Sequence, residues 1–412
     1  MVDYRPLSDQ RAVFHEFRSY AFRPDAGVPP YEPDEHDTPR ALRGARRGIY
    51  ESADAADDDP RSVCRHYWLD ATVRGETHPI AGLASVATPP EFRRQGYVRE
   101  LLANSLAEYR ERDRRFSVLW PFSYDFYHKY GWETSNRIVT HEFDPEVCSF
   151  ATAAVDVAST GSFRPVEADA FGELVPVYER HAERYELALD RDEDWWRHRT
   201  FAGHDVDPYV YAFERDGRVA GYLVHTIDGD RGDWTMTVSE LVAADHEAFL
   251  ALLSFCHTHD SQVERVRLRL PTDAPFRETV REPDAVETTV TNGPMVRIVD
   301  VAEVLSSLSY PTSSEAALTL SVTDPLADWN DGLFELTVAD GRGDCELVRE
   351  SPSTDATVDI ALDVAALSEL AVGTRSATEL ARTNRLEATD REPVSTLAEL
   401  VPKTAVYLGE FF

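Results

Sequence analysis

The sequence predicts a mixed α/β chain: two tandem copies of one strand-helix unit, the second degenerate, followed by an α+β module. Three observations predict it. The phrase Tyr4-Arg5-Pro6-Leu7, with Val13, Phe14, Phe17, Tyr20 and Ala21 after it, returns as Phe163-Arg164-Pro165-Val166 with Phe171, Leu174, Val175 and Tyr178 after it. In each, a short strand feeds a helix whose apolar positions recur at helical spacing. Between 80 and 120 a strand, a turn, a helix and a strand follow one another, the order of a βαβ unit. From Val296 onward the pattern changes to short strands and brief helices. Domains are therefore placed at 1–150, 151–295 and 296–412.

Taken in order, 22–59 is rich in Pro, Gly, Asp and Glu. It reads as an exposed loop or short helices overhanging a binding site, not as a packed strand. Residues 66–73 and 80–87 read as strands, the latter made of small apolar residues suited to a central, doubly covered position. Val98, Leu101, Leu102, Ser105, Leu106 and Tyr109 share one face of the next helix, and 116–120 is the following strand. A stretch of small residues at 151–162 separates the two copies. The second copy has strands at 209–213, 219–226 and 235–243, but its helix opens with Ala244-Asp245-His246-Glu247-Ala248. Acids there oppose a phosphate at a helix start, so this copy is read as having lost cofactor binding. The last module has strands at 318–322, 333–338 and 345–349, helices near 364–370 and 377–382, and an apolar end at 407–412 that reads as buried.

Composition narrows the function. The chain has 412 residues, is 42% hydrophobic and carries a net charge of -32. Its basic residues are arginines except for Lys129 and Lys403. An acidic surface almost without lysine suits a protein kept soluble in concentrated salt, where charges are screened over about 3 Å at 1 M. The same charge repels phosphate backbones and anionic lipid, which argues against nucleic-acid and membrane partners and favours cationic small molecules. No run of about eighteen apolar residues is present, and the first residues lack a basic region followed by an apolar stretch, so a cytoplasmic protein is expected. Cys64, Cys148, Cys256 and Cys345 lie far apart, against a disulfide framework. His257 and His259 beside Cys256 match no common zinc spacing, so no metal is expected.

The strongest signal is Ala84-Ser85-Val86-Ala87-Thr88-Pro89-Pro90-Glu91-Phe92-Arg93-Arg94-Gln95-Gly96-Tyr97-Val98-Arg99. A strand ends, a glycine lets the backbone approach closely, and unpaired N–H groups at the helix start face an anion. Arg93, Arg94 and Arg99 add donors and positive charge in a chain that is otherwise acidic. A pyrophosphate fits that need, and Val86, Ala87, Arg93, Arg94, Gln95, Gly96, Tyr97, Val98 and Arg99 are the candidate binding residues. The phrase resembles the cofactor motif of GNAT acetyltransferases.

A second phrase, Trp120-Pro121-Phe122-Ser123-Tyr124-Asp125-Phe126-Tyr127-His128-Lys129-Tyr130-Gly131-Trp132-Glu133, is similar to the tyrosine segment of the enhanced intracellular survival (Eis-like) family. That GNAT branch has two acetyltransferase-like domains and a sterol-carrier-like C-terminal module. The resemblance implies acetyl-CoA as cofactor and transfer of its acetyl group to an amine, with the thioester carbonyl near the backbone donors of Val86 and Ala87. It implies that Tyr127 protonates the departing thiolate. A phenol near 10 donates to a thiolate near 8.5 when both are held in one site. The base is implied to be the terminal carboxylate, on Phe412 here; a free α-carboxyl near 3.5 needs burial or a water relay for that work. Acids near the mouth should hold an amine, and Asp25, Asp34, Glu35 and Glu410 are the positions singled out, Asp25 and Glu410 foremost. The family takes aminoglycosides, polyamine-like compounds and protein lysines and assembles as hexamers, so a small-molecule amine partner and a homo-oligomer are implied. The competing function is a non-catalytic acyl-CoA or lipid-binding sensor.

Overall fold

Four antiparallel strands open the first sheet: Asp3–Pro6, Ala45–Tyr50, Ser62–Val73 and Glu76–Ala87 pair in that order. The helix Tyr97–Glu111 then crosses over, burying Leu101, Leu102, Ser105, Leu106 and Tyr109, and the strand Phe116–Leu119 returns parallel to Glu76–Ala87. Leu101, Leu102, Leu106 and Tyr109 close on Ile49, Cys64, Ala81, Leu83 and Leu119 in one apolar core. The computed structural model describes residues 2–7, 10–51, 59–155, 160–203, 206–349 and 358–412.

The chain divides into two compact units, one of 1–135 with 294–406 and 410–412, the other of 136–293 with 407–409. Sheet pairing displaces both boundaries read from the sequence. The strand Arg137–Phe143, placed in the first domain by the division at 150, lies inside the second unit's sheet between Glu287–Asn292 and Arg265–Leu270. The strand Met295–Ile298 lies inside the first unit's sheet between Phe116–Leu119 and Glu133–Thr134. Each fills an edge that would otherwise expose a row of unpaired backbone groups.

The segment after 294 packs within the first unit. Its sheet runs in the order Arg342–Arg349, Gly332–Ala339, Ala316–Thr323, Ile360–Asp363, Leu386–Ala388. Its helix Val364–Val372 has every residue buried, the mark of a helix enclosed on all sides, and Ser368 Oγ accepts the N–H of Ile298 at 2.9 Å. The second unit's sheet continues from Arg265–Leu270 through Asp233–Ala243, Arg218–Asp230 and Tyr209–Arg215 to Ser162–Pro165. Among the described residues no helix is long and apolar enough to cross a membrane.

The Pro- and Gly-rich stretch holds the short helices Pro33–His36 and Pro39–Leu42, and also a strand the composition argued against, Ala45–Tyr50. Arg47 on that strand is buried because a carboxylate meets it. Glu108 accepts from Arg47 Nε at 2.8 Å and from Arg47 Nη2, from Tyr4 Oη at 2.7 Å and from Arg112 Nε at 2.9 Å. His66 Nδ1 stands 3.6 Å from the same group. Burial alone pushes the Glu108 carboxyl up, but the bonds from Arg47 and Tyr4 outweigh it and hold it at about 2. Burial keeps the His66 imidazole neutral, lowered to about 3.

Both groups make the first unit acid-sensitive. The unfolded chain takes up their protons first, so stability is full above about 6.5 and is lost as pH falls, through His66 from 6.5 and through Glu108 from 4.5 towards 2. The Glu108 share is roughly 3 kcal/mol. Glu108→Gln should lower stability at pH 7 by about 2 kcal/mol and flatten the acid limb. Urea melts from about pH 2 to 8 at constant salt check this; an unaltered limb below pH 4.5 in the variant would contradict it.

Candidate active site

The site lies where two neighbouring strands part. Pairing between Glu76–Ala87 and Phe116–Leu119 runs from Ile80↔Phe116 to Leu83↔Leu119 and stops there. On the other side a bulge intervenes: Ala84 faces Arg65 and Ala87 faces Val63, so Ser85 and Val86 oppose the single Cys64. Ser85 takes φ 52°, a left-handed conformation that bends the strand. Backbone donors of 84–87 on the parted edge have no strand to pair with past Leu83.

The chain then turns through Pro90–Phe92 into the helix Tyr97–Glu111. Gly96 is its N-cap at φ 90°, with no side-chain cap, and a Cβ built there meets nothing within 4 Å. With no side-chain cap and open space at Gly96, the first-turn N–H groups are left for an anionic group. Arg93, Arg94, Gln95, Tyr97, Val98 and Arg99 all come to this turn, but several side chains brace it. Arg93 Nε donates to Thr88 O at 3.0 Å, Gln95 Nε2 to Glu91 O at 2.7 Å, Tyr97 Oη to Glu51 at 3.1 Å and Arg99 to Pro325 O at 3.4 Å. Arg94, exposed at φ 61°, forms no hydrogen bond or ion pair with any described residue.

Tyr127 sits on the helix Tyr124–His128 and is 4% exposed. The rings of Phe122, Phe126 and Trp132 enclose it at 5.7, 5.1 and 6.3 Å. No described residue hydrogen-bonds its hydroxyl, and burial, with the nearby Cys64 thiol, raises the phenol well above its ordinary value. Cys64 Sγ in turn lies 3.3 Å from His66 Nε2, which meets Ser105 Oγ at 3.0 Å. That buried polar row was not anticipated; its members are scattered along the sequence and only the sheet gathers them.

The chain terminus comes to the same strands. Trp120 Nε1 donates to Glu410 O at 2.7 Å, the Phe411 ring lies tilted 5.3 Å from Trp120, and Phe412 is buried with its ring 5.5 Å from Tyr67. A Cβ at Gly82 would come within 2.8 Å of the Phe412 ring, so this glycine makes room for the terminal residue one position before the strands part. Glu410 is partly buried there, whereas Asp25 lies on an exposed turn and Asp34 and Glu35 on the exposed face of Pro33–His36. No described contact joins Asp25 to Glu410.

In the second unit the strand Asp233–Ala243 likewise pairs in parallel with Arg265–Leu270, from Thr235↔Arg265 to Val238↔Leu268. Its helix His246–His257 starts differently. The Asp245 carboxylate caps it, accepting from Ala248 N at 2.9 Å, and is itself paired with Arg215. The helix start is closed by the chain's own anion. His257 stands with Glu146 and Asp260, their ligand atoms within 4.8 Å of one another, while Cys256 is buried in the core.

Known proteins share this arrangement. Residues 5–135 and 187–298 match acetyltransferase (GNAT) domains and 301–409 match the sterol carrier protein domain. The chain is 27% identical over 337 residues to N-acetyltransferase Eis of Mycobacterium tuberculosis, covering 79% of this chain and 78% of that one. Its matched domains are those of GNAT N-acetyltransferases, and over most of its length the chain is similar to Eis. An uncharacterized N-acetyltransferase of Streptomyces griseus is 28% identical over 349 residues, 81% of each chain. Two crystal structures share the fold over the full length of both chains at 22% identity: a GCN5-related N-acetyltransferase from Anabaena variabilis, TM-score 0.81, and Eis1 from Mycobacterium abscessus, TM-score 0.75. The GNAT match of 187–298 marks a second copy of the unit, although the repeated phrase at 163–178 precedes the matched residues, and Asp245 caps the helix of that copy. Asp245→Ala should destabilise the second unit by about 1 kcal/mol, the ordinary worth of an N-cap. Hydrogen exchange along His246–His257 would show the fraying; unchanged protection would deny Asp245 that role.

Proposed function

We propose that this N-acetyltransferase uses acetyl-CoA and that its first unit carries the transfer to a primary amine. The observation that carries the reading is the uncapped helix start at Gly96 beside a parted strand, leading within one unit to the enclosed Tyr127. The pyrophosphate is assigned to the N–H groups of 96–99 with Arg93, Arg94 and Arg99 around them, and Gln95, Tyr97 and Val98 shape the turn. When bound, acetyl-CoA supplies an activated acyl group and a thiolate leaving group.

The chain's residues supply the rest. The parted edge at Val86 and Ala87 offers backbone donors for the negative charge that develops on the acyl oxygen. An ammonium cannot attack, so a base must remove its proton, and the Phe412 carboxylate is the candidate, brought against the central strand by its own ring. Tyr127 holds the proton for the sulfur. Its raised phenol is an obstacle only if the thiolate stays in water; in the same dry enclosure burial raises a thiolate as well, and the two remain matched.

Thiol release from acetyl-CoA tests the assignment. Tyr127→Phe and deletion of Phe412 should each lower kcat at least a hundredfold while CoA binding stays within a few-fold. Wild-type rates from both folded variants would remove these roles, and tight CoA binding with no turnover in the intact protein would favour a sensor. The cradle has its own control. Gly96→Ala and Gly75→Ala both place a side chain at a left-handed position in open space and should each cost about 1 kcal/mol in thermal melts. Only Gly96→Ala should weaken CoA binding, by tenfold or more.

A further inference from the structure

We infer that Arg18, Arg46 and Arg65 form an anion site on the Phe412 side of the first unit's sheet, so that the amine accepted there also carries a carboxylate, as an amino acid does. The inference rests on the acetyltransferase reading above and names its substrate class. Arg65 stands opposite Ala84, the first residue past the end of the parallel pairing, and Tyr67 stands opposite Gly82. Side chains two apart on a strand share a face. Arg65 therefore lies on the face where Tyr67 and Gly82 receive the Phe412 ring, and its Nη1 donates to Tyr67 Oη at 3.2 Å. The helix Arg11–Phe22 packs against this face: the Phe14 ring centroid lies 5.1 Å from the Arg65 guanidinium carbon and 5.2 Å from that of Arg46. Arg18 follows Phe14 by one helical turn.

Three observations call for an anion. The guanidiniums crowd one another in a chain of net charge -32: burial and the charges of Arg65 and Arg11 lower Arg46 to about 10, and burial and Arg65 lower Arg18. Among the described residues no carboxylate forms an ion pair with any of the three. Asp37, whose charge reaches Arg46, is taken by Arg11 at 2.6 Å and by Tyr31 at 2.7 Å. Arg65 is 4% exposed, and its Nε and that of Arg46 are buried with no hydrogen-bond partner among the described residues. Other buried arginines of this unit are matched, Arg47 by Glu108 and Arg297 by Asp324. Like charges gathered away from water without a counter-charge are costly, and a carboxylate, which the planar guanidinium fork fits, offsets them. With its carboxylate held there, an amino acid keeps its amine on the side of Phe412 and the parted strand.

Initial rates of thiol release by the full-length protein, at one salt concentration, would compare glycine, β-alanine and 4-aminobutyrate with ethylamine, n-propylamine and n-butylamine. Each pair differs by a carboxylate in place of a methyl group; spermidine and O-phosphoethanolamine complete the set. Expected is a kcat/KM for the best amino acid at least tenfold above that for its alkylamine partner and for spermidine. Arg65→Gln and Arg18→Gln should each lower the ratio within that pair at least tenfold, mainly through KM, and Arg18→Lys should keep most of it. Thermal melts identify folded variants, and the half-buried Arg18 carries the test if Arg65→Gln does not fold. Alkylamines or spermidine taken as well as the amino acids, a ratio that Arg18→Gln leaves unmoved, or an equal loss for every amine would overturn the inference and leave the enzyme reading standing. A preference for O-phosphoethanolamine over every amino acid would overturn the carboxylate. Release of thiol with no amine at all would overturn both readings.

Discussion

One buried guanidinium decides where the rest of the first unit can sit. Arg297 has no exposed surface. It donates to the carbonyl of Tyr130 and to Asp324 Oδ2, the latter at 2.5 Å, and lies 5.1 Å from the Trp132 ring. Asp324 also accepts the N–H groups of Leu326 and Ala327 and the amide of Asn330, which reaches Val299 O as well. Removing any one partner would strand a charge away from water, at a cost of several kcal/mol, so the groups hold one arrangement or none. They come from the tyrosine segment, the strand Met295–Ile298 and the sterol-carrier-like segment. Lysine could not replace Arg297, because one point charge cannot address a carbonyl and a carboxylate in two directions in a plane.

The position of the proposed acid and base follows from that clamp. Tyr130 N and Trp132 N both donate to Tyr127 O, so fixing the Tyr130 carbonyl fixes the helix that presents the phenol. Arg74, in the turn after Ser62–Val73, donates to the carbonyls of Leu370, Ala371 and Pro402. It joins two carbonyls at the end of Val364–Val372 to that of Pro402. With the last segment held at both places, Glu410 and Phe412 meet Trp120 and Gly82 in a definite register. The proposed base at Phe412 would serve poorly on a loose segment; packed side chains set the position of that residue.

Much of this was legible in the sequence because it rests on local rules. The run 80–87, the helix stripe from Leu101 to Tyr109 and the turn at Gly96 are signals of period and chirality, and they name their own structure. What the sequence concealed depends on distant partners. Arg47 looks like surface until Glu108 is placed beside it, and so Ala45–Tyr50 read as loop. Arg137–Phe143 and Met295–Ile298 each complete a sheet other than the one their neighbours in sequence suggest, and no periodicity reports which edge a strand will join.

The two copies of the fold differ most where a helix begins, and that difference organises the molecule's chemistry. Both units join a parallel strand pair through a helix, and the positive end of each helix follows the strand that runs on past the pairing. In the first, Gly96 leaves that end open and the cations of 93–99 surround it. In the second, Asp245 fills it with a covalently attached carboxylate, Glu247 adds another acid, and Arg215 neutralises them. An intramolecular cap is present at high effective concentration and needs no association entropy, so a free phosphate cannot displace it at ordinary concentrations. One glycine against one aspartate at the N-cap therefore separates a helix start left open to the proposed phosphate from one already capped by the chain's own carboxylate.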